Sequence, residues 1–321
     1  MIYKLMPLIS VIVITYNHES YIRQSMSSIW IQKMNVPIEI LVGNDASVDR
    51  TGEILDELNR KMPFSLYHRK KNIGASANLY DLLKHAKGKY IAFLEGDDYW
   101  TDAQKLQKQF DFLQHHPEYI ACTHECILVD ENGLPLSNQK LKWISKKRKF
   151  GIKESQGFYL AGQIGTLMCR NIFKNSNENF SIIYTAHPMI SDRTVQMVLA
   201  LNGYIYRLNN YMGAYRQICE TDKENATSKY FVENIHSAYD NFMLTCKLEG
   251  FAQDYLCDYS IDFFFIKLLF FTSAMYHRFR ENSPEIRQDI KNILRYPGVK
   301  KWKYYLFLPI GIIFKLLHKW N

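Results

Sequence analysis

Leu8–Thr15 reads LISVIVIT, eight residues in which β-branched side chains run almost without a break. Such a run predicts a strand buried on both faces, as inside a parallel sheet. The chain around it repeats the theme. Tyr16-Asn17-His18 turns the backbone, and Ser20–Gln32 has helical spacing with Tyr21, Met26, Ile29 and Trp30 as apolar positions. Ile38–Val42 predicts a second strand, Asn44-Asp45-Ala46-Ser47 a turn, and Thr51–Met62 an amphipathic helix. Ser65–His68 predicts a short strand, Asn72-Ile73-Gly74 a turn, and Ala75–Ala86 a helix. Tyr90–Leu94 is a further strand, ending at Glu95-Gly96-Asp97-Asp98. Strands alternating with helices imply a mostly parallel, Rossmann-like α/β sheet flanked by helices. Ligands of such sheets sit beyond the carboxyl ends of the strands. Tyr16, Asp45, Asn72 and Asp97-Asp98 all fall just past strand ends, so four polar turns converge on one edge.

From Tyr119 the pattern is strand-like, then loop-like, and residues 132–153 hold no acid but carry Lys140, Lys142, Lys146, Lys147, Arg148, Lys149 and Lys153. Gly165–Arg170 predicts a strand, Thr194–Leu201 a short helix and Tyr204–Leu208 a strand. After about Thr221 the character changes. Tyr230–Leu248 and Tyr255–Phe279 read as long aromatic-rich helices, which offer a surface for a homo-oligomer or pack on their own chain. The expected division is a nucleotide-binding and catalytic domain over residues 1–220 and a helical C-terminal extension over residues 221–321.

Composition bounds the class. The 321 residues are 47% hydrophobic and 22% charged, as in ordinary folded proteins, and the net charge of +8 suits an acidic partner. The six cysteines form no CxxC pair, which points to reduced thiols. Cys122, His124 and Cys126 alternate within an apolar stretch, the pattern of a strand with small buried thiols rather than a zinc site. Leu8–Ile14 lacks the cleavage site of a signal peptide, and no stretch reaches the roughly 18 apolar residues of a spanning helix. A cytoplasmic protein is expected, peripheral on the inner face of the cell membrane. The membrane expectation rests on Lys300–Trp320: Lys300, Lys301, Lys303, Lys315 and Lys319 flank the apolar stretch Tyr304–Phe314, with no acid present. Pro309 is expected to interrupt a continuous helix there, and the composition suits a segment lying in an anionic membrane surface.

Several stretches together resemble the family 2 glycosyltransferases, inverting enzymes of the GT-A fold. They are Pro7–Asn17 (PLISVIVITYN), Ile38–Asp49 (IEILVGNDASVD), Asn72–Asn78 (NIGASAN), Phe93–Trp100 (FLEGDDYW), Ser191–Leu201 (SDRTVQMVLAL) and Gly213–Arg216 (GAYR). The resemblance implies a nucleotide-sugar donor and Mn²⁺ or Mg²⁺. It gives Asp98 to the metal, and Asp97 to the ribose and, beside Asp98, to the metal. It makes Asp192 the general base that takes the acceptor's proton. Tyr16 can stack on a base, and Asp45 can accept a hydrogen bond from a pyrimidine N–H, which favours uridine; an Asx-turn role for Asp45 is the competing reading. Asn17, Glu19, Asn72, Gly74 and Asn78 belong to the same donor-binding turns, with Gly74 supplying a positive φ. Ser47 and Asp49 read as helix caps. Asn78 faces either the pocket or its own helix, and Asp192 is either the base or a helix cap. Arg216 is expected on the diphosphate or in solvent. Glu95 and Ser191 depart from the family pattern, which usually has aspartate at the first position and an acid at the second.

The QxxRW motif and membrane spans of processive synthases are absent, which favours transfer of one sugar to a saccharide or lipid-linked saccharide acceptor in cell-surface polysaccharide synthesis. A nucleotidyltransferase would need a Gly-rich basic loop where Tyr16-Asn17-His18-Glu19 stands, and neither GxGxxG nor GxSxG occurs. No nucleic-acid reading motif accompanies the basic runs. The non-enzyme alternative is a basic membrane-bound scaffold of the same fold. It gives no reason for acids at Asp45, Asp97, Asp98 and Asp192.

Overall fold

A computed structural model describes residues 8–137, 141, 143–155, 159–174, 179–217, 235–281 and 283–318, with side chains as far as residue 313. The chain forms two compact units, one of Met1–Ser155 and Tyr159–Cys219, the other of Gln156–Phe158 and Glu220–Asn321.

The first unit is an α/β sheet. Its opening elements are β1 (Ile9–Thr15), α1 (Ile22–Trp30), β2 (Ile38–Asn44), α2 (Thr51–Lys61), β3 (Ser65–His68), α3 (Ala75–His85) and β4 (Tyr90–Glu95). All seven residues of β1 are buried, as a β-branched run covered on both faces requires. The helices bury one stripe each: Ile54, Leu55 and Leu58 on α2, and Leu79, Leu82 and Leu83 on α3. The unit continues through β5 (Tyr99–Trp100), α4 (Lys105–His115), β6 (Tyr119–Val129), β7 (Lys149–Phe150), α5 (Ile152–Ser155), a 3-10 turn (Ile164–Thr166), β8 (Met168–Arg170), α6 (Ile182–Thr185), α7 (Asp192–Leu201) and β9 (Tyr204–Arg216).

The strand order is β3-β2-β1-β4-β8-β6-β9-β5, with β7 paired to β9. β1 to β4 pair in parallel, β8 is antiparallel to both β4 and β6, and β6 and β9 are parallel again. Three elements depart from expectation. The strand expected at 204–208 runs on to Arg216, because its far half is held between β6 and β5. The strand expected over 165–170 begins only at Met168, after the 3-10 turn. Helix α4 escapes the periodicity reading because Lys105 and Gln109 share its buried face with Leu106, Phe110 and Leu113.

The second unit is helical: α8 (Ser237–Leu256), α9 (Phe264–Glu281), α10 (Pro284–Arg295) and α11 (Lys301–His318). The expected helix 255–279 is broken, since Cys257 takes a left-handed φ of 51° and ends α8. The start expected at Tyr230 lies outside the described residues, as do Lys140, Lys142, Cys219 and Lys319. Pro309, expected to interrupt the last segment, lies inside α11. The helix survives its missing N–H because Tyr304, Phe307 and Leu308 join the same apolar core as Phe242, Phe271 and Ile290. Among the described residues, no helix is long and apolar enough to cross a membrane.

Candidate active site

β4 delivers Glu95-Gly96-Asp97-Asp98 to the carboxyl edge of the sheet. The Gly96 N–H donates to Ile14 O at 2.9 Å. A Cβ at Gly96 would collide with Thr15 and His18, so glycine is required there by close approach. His18 Nδ1 and Thr15 Oγ1 share a hydrogen bond of 3.1 Å, and His18 Nε2 lies 3.7 Å from Asp97 Oδ2. Asp97 keeps an exposed edge, with 22% side-chain accessibility. Asp98 is buried. Its Oδ1 accepts the Arg216 backbone N–H at 2.8 Å, and its Oδ2 accepts Gln163 Nε2 at 2.8 Å. The same Gln163 amide reaches Glu95 Oε2 at 3.1 Å. Burial, then the charges of Asp97 and Glu95, hold the Asp98 carboxyl well above the usual carboxylate range. Burial also pushes Glu95 up to about 8, with Asp97 and Asp192 adding to it. The turn is thus crowded with buried acid.

Arg216 fastens this turn from behind. Its Nε donates to Asp97 O at 2.9 Å, one terminal nitrogen to Asp130 O and Glu131 O at 3.1 and 2.8 Å, and the other to Gln24 Oε1 at 2.7 Å. The guanidinium also lies 4.5 Å from the Tyr21 ring centre and 5.5 Å from that of Tyr99. Four of its five donors have protein acceptors.

The loops after β1 and β2 are stitched together. Asn17, in the left-handed region with φ 54°, donates its N–H to Ser47 Oγ at 3.0 Å and accepts the Val48 N–H on Oδ1 at 2.9 Å. The Glu19 N–H donates to Asp49 Oδ2 at 3.0 Å, and Glu19 Oε2 accepts the Arg50 N–H at 2.8 Å. Asp49 Oδ1 accepts the Thr51 N–H at 2.9 Å, where α2 begins. Ser47 caps nothing; its hydroxyl donates to Asn44 Oδ1 at 2.5 Å. Tyr16 and Asp45 follow Thr15 and Asn44, which are register partners, so the two lie side by side.

Asp45 is buried and accepts the Ile73 and Gly74 N–H groups at 2.8 and 2.9 Å, one on each oxygen. It therefore fixes the third loop rather than capping α2, and each oxygen retains a lone pair. Asn72 Oδ1 accepts the Gly74 N–H at 3.0 Å. Gly74 has φ 87°, as its sequence setting predicts, and a Cβ there would approach Pro188 O to 2.8 Å. Asn78 is buried toward the sheet: its Nδ2 donates to Gly43 O at 2.8 Å and its Oδ1 accepts Arg69 Nε at 3.0 Å.

Asp192 opens α7, with Ser191 in the capping position making no side-chain cap bond. The Asp192 carboxylate accepts the Arg193 N–H at 2.7 Å. Burial raises its carboxyl above the usual range, against the lowering charge of Arg193. Its own charge acts on Glu95 and on the Tyr215 phenol, which places it in the same electrostatic neighbourhood as the acidic turn. The segment before it is held by His187 Nδ1, which accepts the Met189 and Ile190 N–H groups at 3.1 and 3.0 Å. Pro188 O accepts the Ser76 N–H at 3.0 Å and ties that segment to the Gly74 loop.

Residues 10–176, a little over half of the chain, match the family model described as Glycosyl transferase family 2. The chain belongs to that family. Among its relatives, an uncharacterized protein of Mycobacterium tuberculosis is 31% identical over 214 residues, covering 66% of this chain and 56% of its own length. TuaG of Bacillus subtilis, named for teichuronic acid biosynthesis, is a glycosyltransferase relative 30% identical over 131 residues, 40% of this chain and 51% of its own. The chain spans about half the length of these curated relatives. Among solved structures, Staphylococcus aureus TarS 1–349 in complex with UDP-GlcNAc superposes with a TM-score of 0.60 at 17% identity, over 89% of this chain and 79% of that one. The expected family and fold are therefore met.

Within this family 2 fold, the structure brings together Tyr16, Asp45, Asn72, Gly74, Asp97, Asp98 and Asp192 around the carboxyl edge of one sheet. Asn17, Glu19 and Asn78 spend their described hydrogen bonds on neighbouring loops and strands. Arg216, expected on a diphosphate or in solvent, is buried as a clamp. Sequence reading missed Gln163, His18 and Tyr215. Gln163 carries no local signal, but Tyr215 stands inside the Gly213–Arg216 motif and His18 directly follows Pro7–Asn17. Among the described residues, no three His, Cys, Asp or Glu side chains are arranged to hold a metal ion on their own. The donor set still fits a hard divalent cation, because carboxylate oxygens cluster in a turn where burial and neighbouring acids raise Glu95 and Asp98.

Proposed function

We propose that this chain is an inverting, metal-dependent glycosyltransferase. It moves one sugar from a UDP-sugar to a hydroxyl of a saccharide or lipid-linked saccharide acceptor, in cell-surface polysaccharide synthesis. The observation that carries this reading is the pairing of two unlike carboxylates at one edge. Asp97 is partly exposed beside His18, and Asp192 is raised by burial within electrostatic reach of the acidic turn. Tyr16 stacks on the base, and Asp45 turns a free lone pair to the uracil N–H. The uridine donor class is also the one bound by TarS in its complex with UDP-GlcNAc, and the polymer class is that for which TuaG is named.

Asp97 is the direct ligand for Mn²⁺ or Mg²⁺. Asp98, with both oxygens engaged by Arg216 and Gln163, sets the turn behind it. When bound, the cation supplies charge neutralisation for the departing diphosphate. Asp192 takes the proton of the acceptor hydroxyl as its oxygen bonds to the anomeric carbon. The bond from that carbon to the diphosphate oxygen breaks, and its electron pair leaves with UDP. A carboxyl raised by burial is a better base than an ordinary one.

The test is transfer and hydrolysis from a panel of nucleotide sugars with Mn²⁺ or Mg²⁺, on wild type and Asp192→Asn. Asp192→Asn is expected to lose about 10²–10⁴ in transfer rate while holding the donor within a few-fold. Full transfer by Asp192→Asn removes the base. Failure of wild type to bind any nucleotide sugar removes the function.

A further inference from the structure

Helix α11 is apolar on two opposite faces, and only one of them is covered. Tyr304 is 2% exposed, with its ring 5.2 Å from Phe264 and 5.4 Å from Phe271, both on α9. Gly311 is buried so closely on Thr272 of α9 that no Cβ fits. Opposite them stand Trp302, Tyr305, Leu306, Ile310, Ile312 and Ile313, all exposed, with Trp302 and Leu306 at 61% and Ile313 at 57%. Positions 302, 305, 306, 310 and 313 recur at three- and four-residue steps, so they form one stripe. Large exposed side chains grouped in this way mark an interaction surface.

Charge identifies the occupant. Lys300, Lys301 and Lys303 stand at the N-terminal end of α11, and no acid occurs from Gly298 to Asn321. Three cations there oppose the helix dipole, which favours negative charge at that end. The arrangement costs helix stability in water; Lys303 lies near the Phe264 and Trp302 rings, and an anionic surface would relieve all three cations. A second copy of this chain docking through the same face would present the same acid-free segment, with no negative charge to meet these lysines. An acidic protein partner would answer the lysines but would have to bury six large apolar side chains in a matching groove. A bilayer with anionic headgroups accepts both features without shape complementarity.

From this we infer that the exposed stripe of α11, with Lys300, Lys301 and Lys303 at its head, docks the protein on an anionic lipid bilayer. The helix lies in the interface and does not cross it, in keeping with its length and hydropathy. The docking is independent of the glycosyl-transfer reading, because the stripe contains none of the residues assigned to donor or acceptor chemistry.

The experiment is cosedimentation of the full chain with phosphatidylcholine vesicles, with and without phosphatidylglycerol, and nucleotide-sugar binding is measured on the same samples. Wild type is expected to sediment with the phosphatidylglycerol vesicles and to be released by salt. Leu306→Glu/Ile310→Glu/Ile313→Glu changes only exposed positions and is expected to abolish sedimentation with an unchanged melt. Lys300→Gln/Lys301→Gln/Lys303→Gln is expected to weaken it by about fivefold per lysine, roughly a hundredfold together. This variant tests the same surface should the first melt early. Donor binding stays unchanged throughout. Equal sedimentation of wild type and both variants overturns the inference. So does a wild type that ignores vesicles but forms a dimer broken by the triple glutamate variant.

Discussion

Replacing Arg216 by lysine separates the two roles this side chain can have. As a clamp, its guanidinium makes four described hydrogen bonds, to the carbonyls of Asp97, Asp130 and Glu131 and to Gln24. It also lies over the rings of Tyr21 and Tyr99. A lysine ammonium is a point donor on a flexible stem and cannot span those acceptors. Each charged hydrogen bond lost at a buried site costs about 1.5–3 kcal/mol, partly recovered where the ammonium finds one acceptor. The aromatic contacts add about 0.5–2 kcal/mol. These terms are not additive within one network, and the net loss is set at about 3–5 kcal/mol, the usual cost of breaking a buried charged pair. The backbone N–H that holds Asp98 survives the substitution, so the loss belongs to the guanidinium alone. Urea denaturation should therefore show a markedly lower midpoint, and calorimetry a weakened donor, because Asp97 loses its backing. A variant as stable as wild type that still loses donor affinity at least tenfold would refute the clamp and return Arg216 to the diphosphate.

Three further outcomes follow from the same contacts. Asp97→Asn should remove most metal-stimulated turnover with little change in melting temperature, since its carboxylate is partly exposed and faces His18 at 3.7 Å; metal titrations of activity that are spoiled by Asp98→Asn but not by Asp97→Asn would reverse the assignment. His124 is buried and held down to about 3, by burial first and then by Lys105, so the unfolded chain binds one more proton than the folded one between about pH 3 and the ordinary imidazole value near 6.5. Stability should thus fall with pH at about 1.4 kcal/mol per unit in that window, about 2 kcal/mol by roughly pH 5; His124→Leu should flatten the profile, and parallel curves for the two proteins would contradict it. Gly74→Ala should lower both stability and donor affinity, because φ 87° and the approach to Pro188 O exclude a side chain; an unaltered melt would show that the loop adjusts freely.

The sheet was legible because its signal is local. β1 to β4 and the helices between them follow from β-branched runs, 3.6-residue stripes and turn residues, and each lies within a few residues of its expected place. The second half was less so, for reasons that differ by element. α4 hides behind Lys105 and Gln109, polar residues on a buried face. The length of β9 depends on β6 and β5 flanking it, and pairing partners far away in sequence leave no local periodicity. Pro309 stays inside a helix because tertiary packing outweighs its lost hydrogen bond. At the site, residue types foretold the convergence of acids, but not which acid is buried and which keeps an exposed edge. Asp97 and Asp98 are neighbours of identical chemistry. Only the positions of Gln163 and Arg216, 65 and 118 residues further along from Asp98, show that Asp98 is hydrogen-bonded on both oxygens, while Asp97 keeps an exposed edge.

That division of labour explains why so much of the site's polar chemistry faces inward. A metal-binding carboxylate works only if its direction is fixed before the ligand arrives, since reorganisation during binding would consume the interaction. On a loop, such direction is imposed by second contacts. Here Asp98 is pinned by Gln163 and a backbone N–H, the Asp97 carbonyl by Arg216, and Gly96 by its N–H bond to Ile14 O. Asp45, Asn72 and Asn78 do the same for the loops proposed to carry the donor, and Pro188 joins the start of the helix after them to the segment ahead of Asp192. Burial of these groups raises the carboxyls of Glu95 and Asp98, so the fold accepts an electrostatic penalty at the turn. A cation bound at the turn would relieve it. On the proposed reading, that penalty would be returned as affinity for a divalent cation at the turn.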